Sequence, residues 1–226
     1  MRTAYETAFV FDLDGTLVDS VYQHVLAWHE ALQAEGIELS IWRIHRKIGM
    51  SGGLFTNMLL RETGLDFSQE RIERLQRLHA AAYNRESGRI RPLPGARALL
   101  DTLSHSGILW AVATSGRMET AGPVLETLGV DLSRRVVVTR DDVRHAKPDP
   151  DLFLTATERL GVTPQEVTVV GDSVWDMLAA RRARSLGIGL LSGGYGLEEL
   201  ERAGAYRVYE DPADMLKHLD EIGGRR

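Results

Sequence analysis

The chain has 226 residues, 43% of them hydrophobic and 26% charged, a balance that excludes a disordered protein. Twenty-seven Lys and Arg against 32 Asp and Glu leave a formal charge of −5, which argues against nucleic acid or a membrane surface as the main partner. There is no cysteine, so disulfides, thiolate metal sites and cysteine nucleophiles are excluded.

The first seven residues lead into a short apolar run, 8–11, that ends at an acid. It is too short for the core of a signal peptide, and no stretch approaches the ~18 apolar residues of a membrane span. The expectation is a soluble, cytoplasmic protein. Further runs of strand length lie at 108–113, 136–138, 167–170 and 188–191, with a weaker one at 206–208. Most are continuous rather than alternating, as in strands buried on both faces of a parallel sheet. Helical patterns at 118–128, 150–160, 173–186 and 197–202 separate them. Strand alternating with helix predicts an α/β fold, a Rossmann-like doubly wound parallel sheet.

Residues 20–90 break the alternation. Val21, Val25, Trp28 and Leu32, then Ile72, Leu75, Leu78 and Ala82, carry helical spacing, and no strand is evident. Seventy residues exceed what a crossover needs, so an inserted α-helical cap is expected. Arg91-Pro92-Leu93-Pro94-Gly95 marks the return. The predicted division is a core of 1–18 and 91–226 with a helical cap of 19–90, hinged at 16–19 and 90–95.

Four strand ends carry chemistry. The first run ends in Asp12-Leu13-Asp14-Gly15-Thr16. Carboxylates two apart on extended backbone point the same way, and their repulsion calls for a cation such as Mg²⁺ between them. Alone, the motif is equally a turn, part of a calcium loop or a helix cap. The second run ends in Thr114-Ser115-Gly116, where a hydroxyl and free amides form an anion cradle or merely cap a helix. Lys147 follows the third run; a lone loop lysine is usually a solvated charge. The fourth ends in Gly171-Asp172-Ser173-Val174-Trp175-Asp176, with two acids four apart at a helix start. The carboxyl ends of parallel strands open into one crevice. One phosphoryl-transfer site explains all four features better than four coincidences.

In order and spacing, these motifs resemble the haloacid dehalogenase superfamily over essentially the whole chain. The insertion resembles the helical cap of the branch containing phosphoglycolate phosphatase and β-phosphoglucomutase. The resemblance implies a Mg²⁺-dependent phosphatase acting on a small phosphorylated metabolite. Asp12 would be the nucleophile, giving an aspartyl-phosphate, and Asp14 the general acid and then base. Asp12, the Asp14 carbonyl and Asp172 would hold Mg²⁺, and Asp176 would orient Asp172 or a metal-bound water. Thr114, the amides of Ser115 and Gly116, and Lys147 would receive the phosphoryl group.

The second acid, Asp14, disfavours dehalogenation, and Lys47, the only lysine between Ser20 and Ile90, leaves a Schiff-base route open. His24 matches a histidine that assists the substrate in β-phosphoglucomutase, though a lone helical histidine is more often incidental. The Gly49-Met50-Ser51-Gly52-Gly53 segment reads as a crevice-facing loop, with Ser51 touching substrate, or as a plain connector. It lacks the arginine that a mutase loop offers a second phosphate, although Arg46 and Lys47 lie nearby. The runner-up is a phosphomutase of that type; a non-enzymatic phospho-receiver is the third reading.

Overall fold

A computed structural model of the chain describes residues 7–64, 68–129 and 131–224. The first six residues of the N-terminal lead fall outside that description. Six strands form one parallel sheet: β1 (Ala8–Phe11), β2 (Trp110–Ala113), β3 (Val136–Val138), β4 (Val167–Gly171), β5 (Leu186–Leu190) and β6 (Ala205–Tyr209). Their order is β3-β2-β1-β4-β5-β6. The chain direction across the sheet therefore reverses between β1 and β4, where an open sheet forms its ligand crevice.

Strand residues alternate between two cores, as the period of two requires. Phe9, Phe11, Trp110 and Val112 pack on one face; Ala8, Val10, Ala111, Ala113, Val167 and Val169 pack on the other. Between β1 and β2 the chain builds α1 (Val21–Ala34), α2 (Ile41–His45), α3 (Gly52–Thr63), α4 (Gln69–Glu86) and α5 (Ala96–His105). The remaining helices are α6 (Met118–Glu126), α7 (Asp151–Leu160), α8 (Val174–Ala183), α9 (Leu197–Ala203) and α10 (Pro212–Lys217). Leu99, Leu100 and Leu103 of α5 join α6 and α10 on the Phe9 face, while α7 and α8 cover the Val10 face. No helix among the described residues is long and apolar enough to cross a membrane.

Helices α1–α4 have an apolar cluster of their own, built on Val25, Trp28, Leu32, Ile44, Phe55, Leu59 and Leu75. The chain leaves for this insertion and returns from it side by side. Asp19 N donates to the Arg91 carbonyl and Leu93 N to that of Leu17, both at 2.9 Å, and Val18 bridges Pro92 in antiparallel fashion.

Several boundaries depart from expectation, among them β2, which begins at Trp110 rather than 108, and α6, which ends at Glu126 rather than 128. The helix expected over 173–186 starts after Ser173, its N-cap, and ends at Ala183, because Arg184 turns left-handed (φ 62°). Strand β5 then begins at Leu186, its Gly187 fitting beneath Met177 where a side chain would crowd the sulfur. The glycine-rich stretch after Gly49 is only partly a loop, since Gly52 and Gly53 open α3. The amphipathic spacing of Ala96, Leu99, Leu100 and Leu103 accounts for α5, a helix beyond the expected set.

Candidate active site

Asp12 extends β1 by one ladder bond, from its N–H to the Val170 carbonyl at 2.9 Å. The chain then wraps tightly. The amides of Thr16, Leu17 and Val18 all reach the Leu13 carbonyl, and Gly15 adopts φ 81°. A Cβ at Gly15 would stand 2.5 Å from Asp172 Oδ2, so glycine there serves both the turn and the close approach of the next acid. Gly193, after β5, does the same from the other side: a Cβ there would lie 1.7 Å from Asp172 Oδ2. Thr16 Oγ1 donates to Asp172 Oδ1 at 3.0 Å.

Lys147 is fully buried. Its Nζ lies 2.5 Å from Asp12 Oδ1 and 2.7 Å from Asp176 Oδ1. The other oxygen of Asp176 accepts from the amide and hydroxyl of Ser173, closing the capping box that starts α8. Asp176 thus accepts from Lys147 with one oxygen and from Ser173 with the other.

Carboxylate oxygens of Asp12, Asp172 and Asp176 all lie within 4.8 Å of one another. Three buried acids face one buried ammonium, which leaves the cluster two charges short of neutrality. Burial pushes the Asp12 carboxyl up to about 7; Lys147 opposes the rise, while Asp176 and Asp14 add to it. Burial likewise drives Asp172 well above the carboxylate range, reinforced by Asp176 and Asp12. Such a cluster ionises fully only around a further cation. Its all-oxygen donors suit a hard divalent ion.

Asp14 meets the opposite fate. Ser20 Oγ donates to its Oδ1 at 2.6 Å, His24 Nε2 lies 3.2 Å from the same oxygen, and Tyr83 Oη reaches it at 3.4 Å. Burial alone would raise this carboxyl, but the charge and hydrogen bond of His24, with the bond from Ser20, hold it at about 2. Its other oxygen, Oδ2, stands 3.5 Å from Thr114 Oγ1.

Thr114 follows β2 and accepts from the Gly116 amide at 3.0 Å, so that amide already has a local partner. Ser115 Oγ turns to the insertion and donates to the Gly49 carbonyl at 3.0 Å. Ser51 donates its amide to the Lys147 carbonyl at 3.2 Å, while its hydroxyl accepts from Leu54 N and caps α3. The segment from Gly49 to Ser51 therefore spans the second and third motif loops. Lys47 is buried against Glu62, 2.7 Å away. Arg46 pairs with Glu199 and lies over the Tyr195 ring.

The structure brings Asp12, Asp14, Thr114, Lys147, Asp172 and Asp176 together at one end of the sheet, with His24 against Asp14. Ser115 and Ser51 join through the insertion's loop. Thr16, Ser20, Tyr83 and Gly193 also line the site, with His79 behind His24, and none of them is a candidate by motif. For two of these a signal existed: His79 and Tyr83 stand four apart on α4, one helical turn.

A model of the haloacid dehalogenase-like hydrolases matches residues 6–184. Hexitol phosphatase A of Escherichia coli (strain K12) is 35% identical over 177 residues, 77% of this chain and 78% of the relative. Phosphoglycolate phosphatase of Agrobacterium fabrum is 34% identical over 188 residues, 81% of this chain and 80% of its own length. The crystal structure of a hydrolase from Pseudomonas syringae superposes with a TM-score of 0.94 at 58% identity, covering 96% of this chain and 99% of that one. With the family model matched over most of its length and relatives at this identity, the chain belongs to the haloacid dehalogenase-like hydrolase family.

Proposed function

We propose that this chain is a Mg²⁺-dependent phosphatase that hydrolyses small phosphomonoesters through an aspartyl-phosphate on Asp12. The carrying observation is the buried cluster in which Lys147 bridges Asp12 and Asp176 while Asp172 closes on both. The phosphatase-named relatives support the same reading.

Asp12, Asp172 and the Asp14 carbonyl would hold Mg²⁺, which when bound neutralises the acids and the phosphoryl oxygens. The phosphoryl group would lie against Thr114, the Ser115 amide and Lys147, donors arranged before substrate arrives; the Gly116 amide instead braces the Thr114 hydroxyl. A carboxylate oxygen of Asp12 attacks phosphorus as the ester P–O bond breaks. Asp14 gives its proton to the departing oxygen. A carboxylate before phosphate binds, Asp14 takes up that proton from solvent as the incoming phosphate, a like charge, drives its pKa upward. It then takes a proton from water, and the resulting hydroxide cleaves the aspartyl-phosphate and restores Asp12.

Residues 19–90 act as a cap over cores 1–18 and 91–226, with hinges at 16–19 and 90–95. The setting is cytoplasmic, where small phosphorylated metabolites reside. A mutase must hold a second phosphate, but the cations nearest the insertion's loop are paired, Arg46 with Glu199 and Lys47 with Glu62. That favours hydrolysis.

A panel of phosphomonoesters assayed with Mg²⁺ and again with chelator tests the reading. Phosphate release that disappears on chelation and in Asp12→Asn is expected. Conversion of β-glucose 1-phosphate to the 6-phosphate would make it a mutase, and stable phosphorylation without turnover would make it a receiver.

A further inference from the structure

Beneath Asp14 the insertion holds a column of rings that the hydrolytic reading leaves unused. Helix α1 contributes Ser20 at its N-cap, then His24 and Trp28 at four-residue intervals. Helix α4 contributes His79 and Tyr83, also four apart. Repeats of four keep each set on one side of its helix, so two residues from each helix interleave. His24 stacks on Tyr83 with ring centroids 3.9 Å apart, and His79 stacks on Trp28 at 4.2 Å. Between the imidazoles, His24 Nδ1 and His79 Nε2 are 3.1 Å apart, a hydrogen bond. With Nδ1 engaged there, Nε2 is the nitrogen left to face Asp14 Oδ1 at 3.2 Å.

We propose that His79 is a positioning residue for proton transfer, fixing the ring of His24 so that His24, with Ser20 and Tyr83, saturates one oxygen of Asp14 and aims the other at the leaving group. This rests on the phosphatase reading, since it assigns a task to the acid in that reaction. His79 itself touches neither Asp14 nor the crevice loops by any hydrogen bond among the described residues. Trp28, on which it stacks, in turn meets the Phe55 ring at a tilt of 32° with centroids 4.2 Å apart, so His79 sits against a packed aromatic wall from which a hydrogen bond is well aimed. Burial, with the charge of His24, pulls the His79 pKa well below the imidazole range, as suits a neutral partner. Catalytic histidines elsewhere depend on such an orienting group for ring placement.

The test separates orientation from packing. His79→Phe keeps the ring on Trp28 and deletes the nitrogen; His79→Gln restores a polar atom. Each is assayed on an alkyl phosphate, whose alkoxide must be protonated to leave, and on p-nitrophenyl phosphate, whose phenolate leaves unaided. For His79→Phe, kcat on the alkyl ester should fall about 10- to 100-fold, the range for loss of an orienting partner. Its kcat on the nitrophenyl ester should stay within about twofold, and His79→Gln should recover most of the alkyl activity. Parallel losses on both esters would reduce His79 to a structural role and overturn the proposal, as would no loss on either or no recovery in His79→Gln. If the wild-type protein hydrolyses neither ester, the phosphatase reading has failed instead.

Discussion

Two carboxylates at the end of β1, two residues apart, are governed by different parts of the molecule. Asp12 is held from the sheet side by Lys147, with Asp176 and Asp172 beside it. Asp14 is held from the insertion by Ser20, His24 and Tyr83. Both are buried, yet one is pushed up to about 7 and the other pulled down to about 2. Burial alone therefore does not set the charge; what stands beside each group decides. In the proposed reaction, nucleophilic attack would fall to the core and proton transfer to the contact between core and insertion.

The hardest blow to that division would come from Asp12→Asn. Removing the nucleophile should cost on the order of 10⁴-fold or more in kcat, equally for good and poor leaving groups, as read by phosphate release. Asp14→Asn should cost about 10²- to 10⁴-fold on alkyl esters and far less on p-nitrophenyl phosphate. Equal losses on both would erase the distinction between the two acids.

Smaller effects sharpen the core half. Gly193→Ala, which forces a methyl onto Asp172, should weaken Mg²⁺ binding by about 10- to 100-fold in a calorimetric titration, with little change around Asp14. Acid should compete with the metal. Below about pH 7, Asp12 holds a proton that the cation must displace, so affinity should fall about fivefold from pH 7 to pH 6. The linkage has a definite sign. A carboxyl raised in the fold binds its proton more tightly there than in the unfolded chain, so the metal-free protein loses stability as pH climbs from about 4 to about 7. Thermal melts should show Mg²⁺ restoring more stability at pH 7.5 than at pH 5.5. Least is expected from Arg46→Ala: its pair with Glu199 is partly exposed and worth at most about 1 kcal/mol.

The sheet and its motif loops were legible because continuous apolar runs and the acids that end them are local patterns. Asp12, Asp14 and Asp172 each sit where a strand visibly stops, and Lys147 lies in the long loop between β3 and α7. The partners of Asp14 were not legible, because Tyr83 lies 69 residues away on a helix whose spacing reads only as amphipathic. His79 is equally ordinary in sequence; its meaning comes from the ring of His24 placed 3.1 Å away. Gly193 left no signal, since its value is the side chain it lacks. Asp176 was visible as an acid, but its bond to Lys147 depends on how α8 approaches α7.

The paired entry and exit of the insertion carry one more consequence. Leu17, Asp19, Arg91 and Leu93 lace the departing and returning chain into a short ribbon, so whatever it carries starts and finishes at one spot. An attachment of that kind works as a socket, because segments whose ends lie close together are tolerated as replacements. Helices of other lengths and side chains could be plugged in there without disturbing a strand of the sheet.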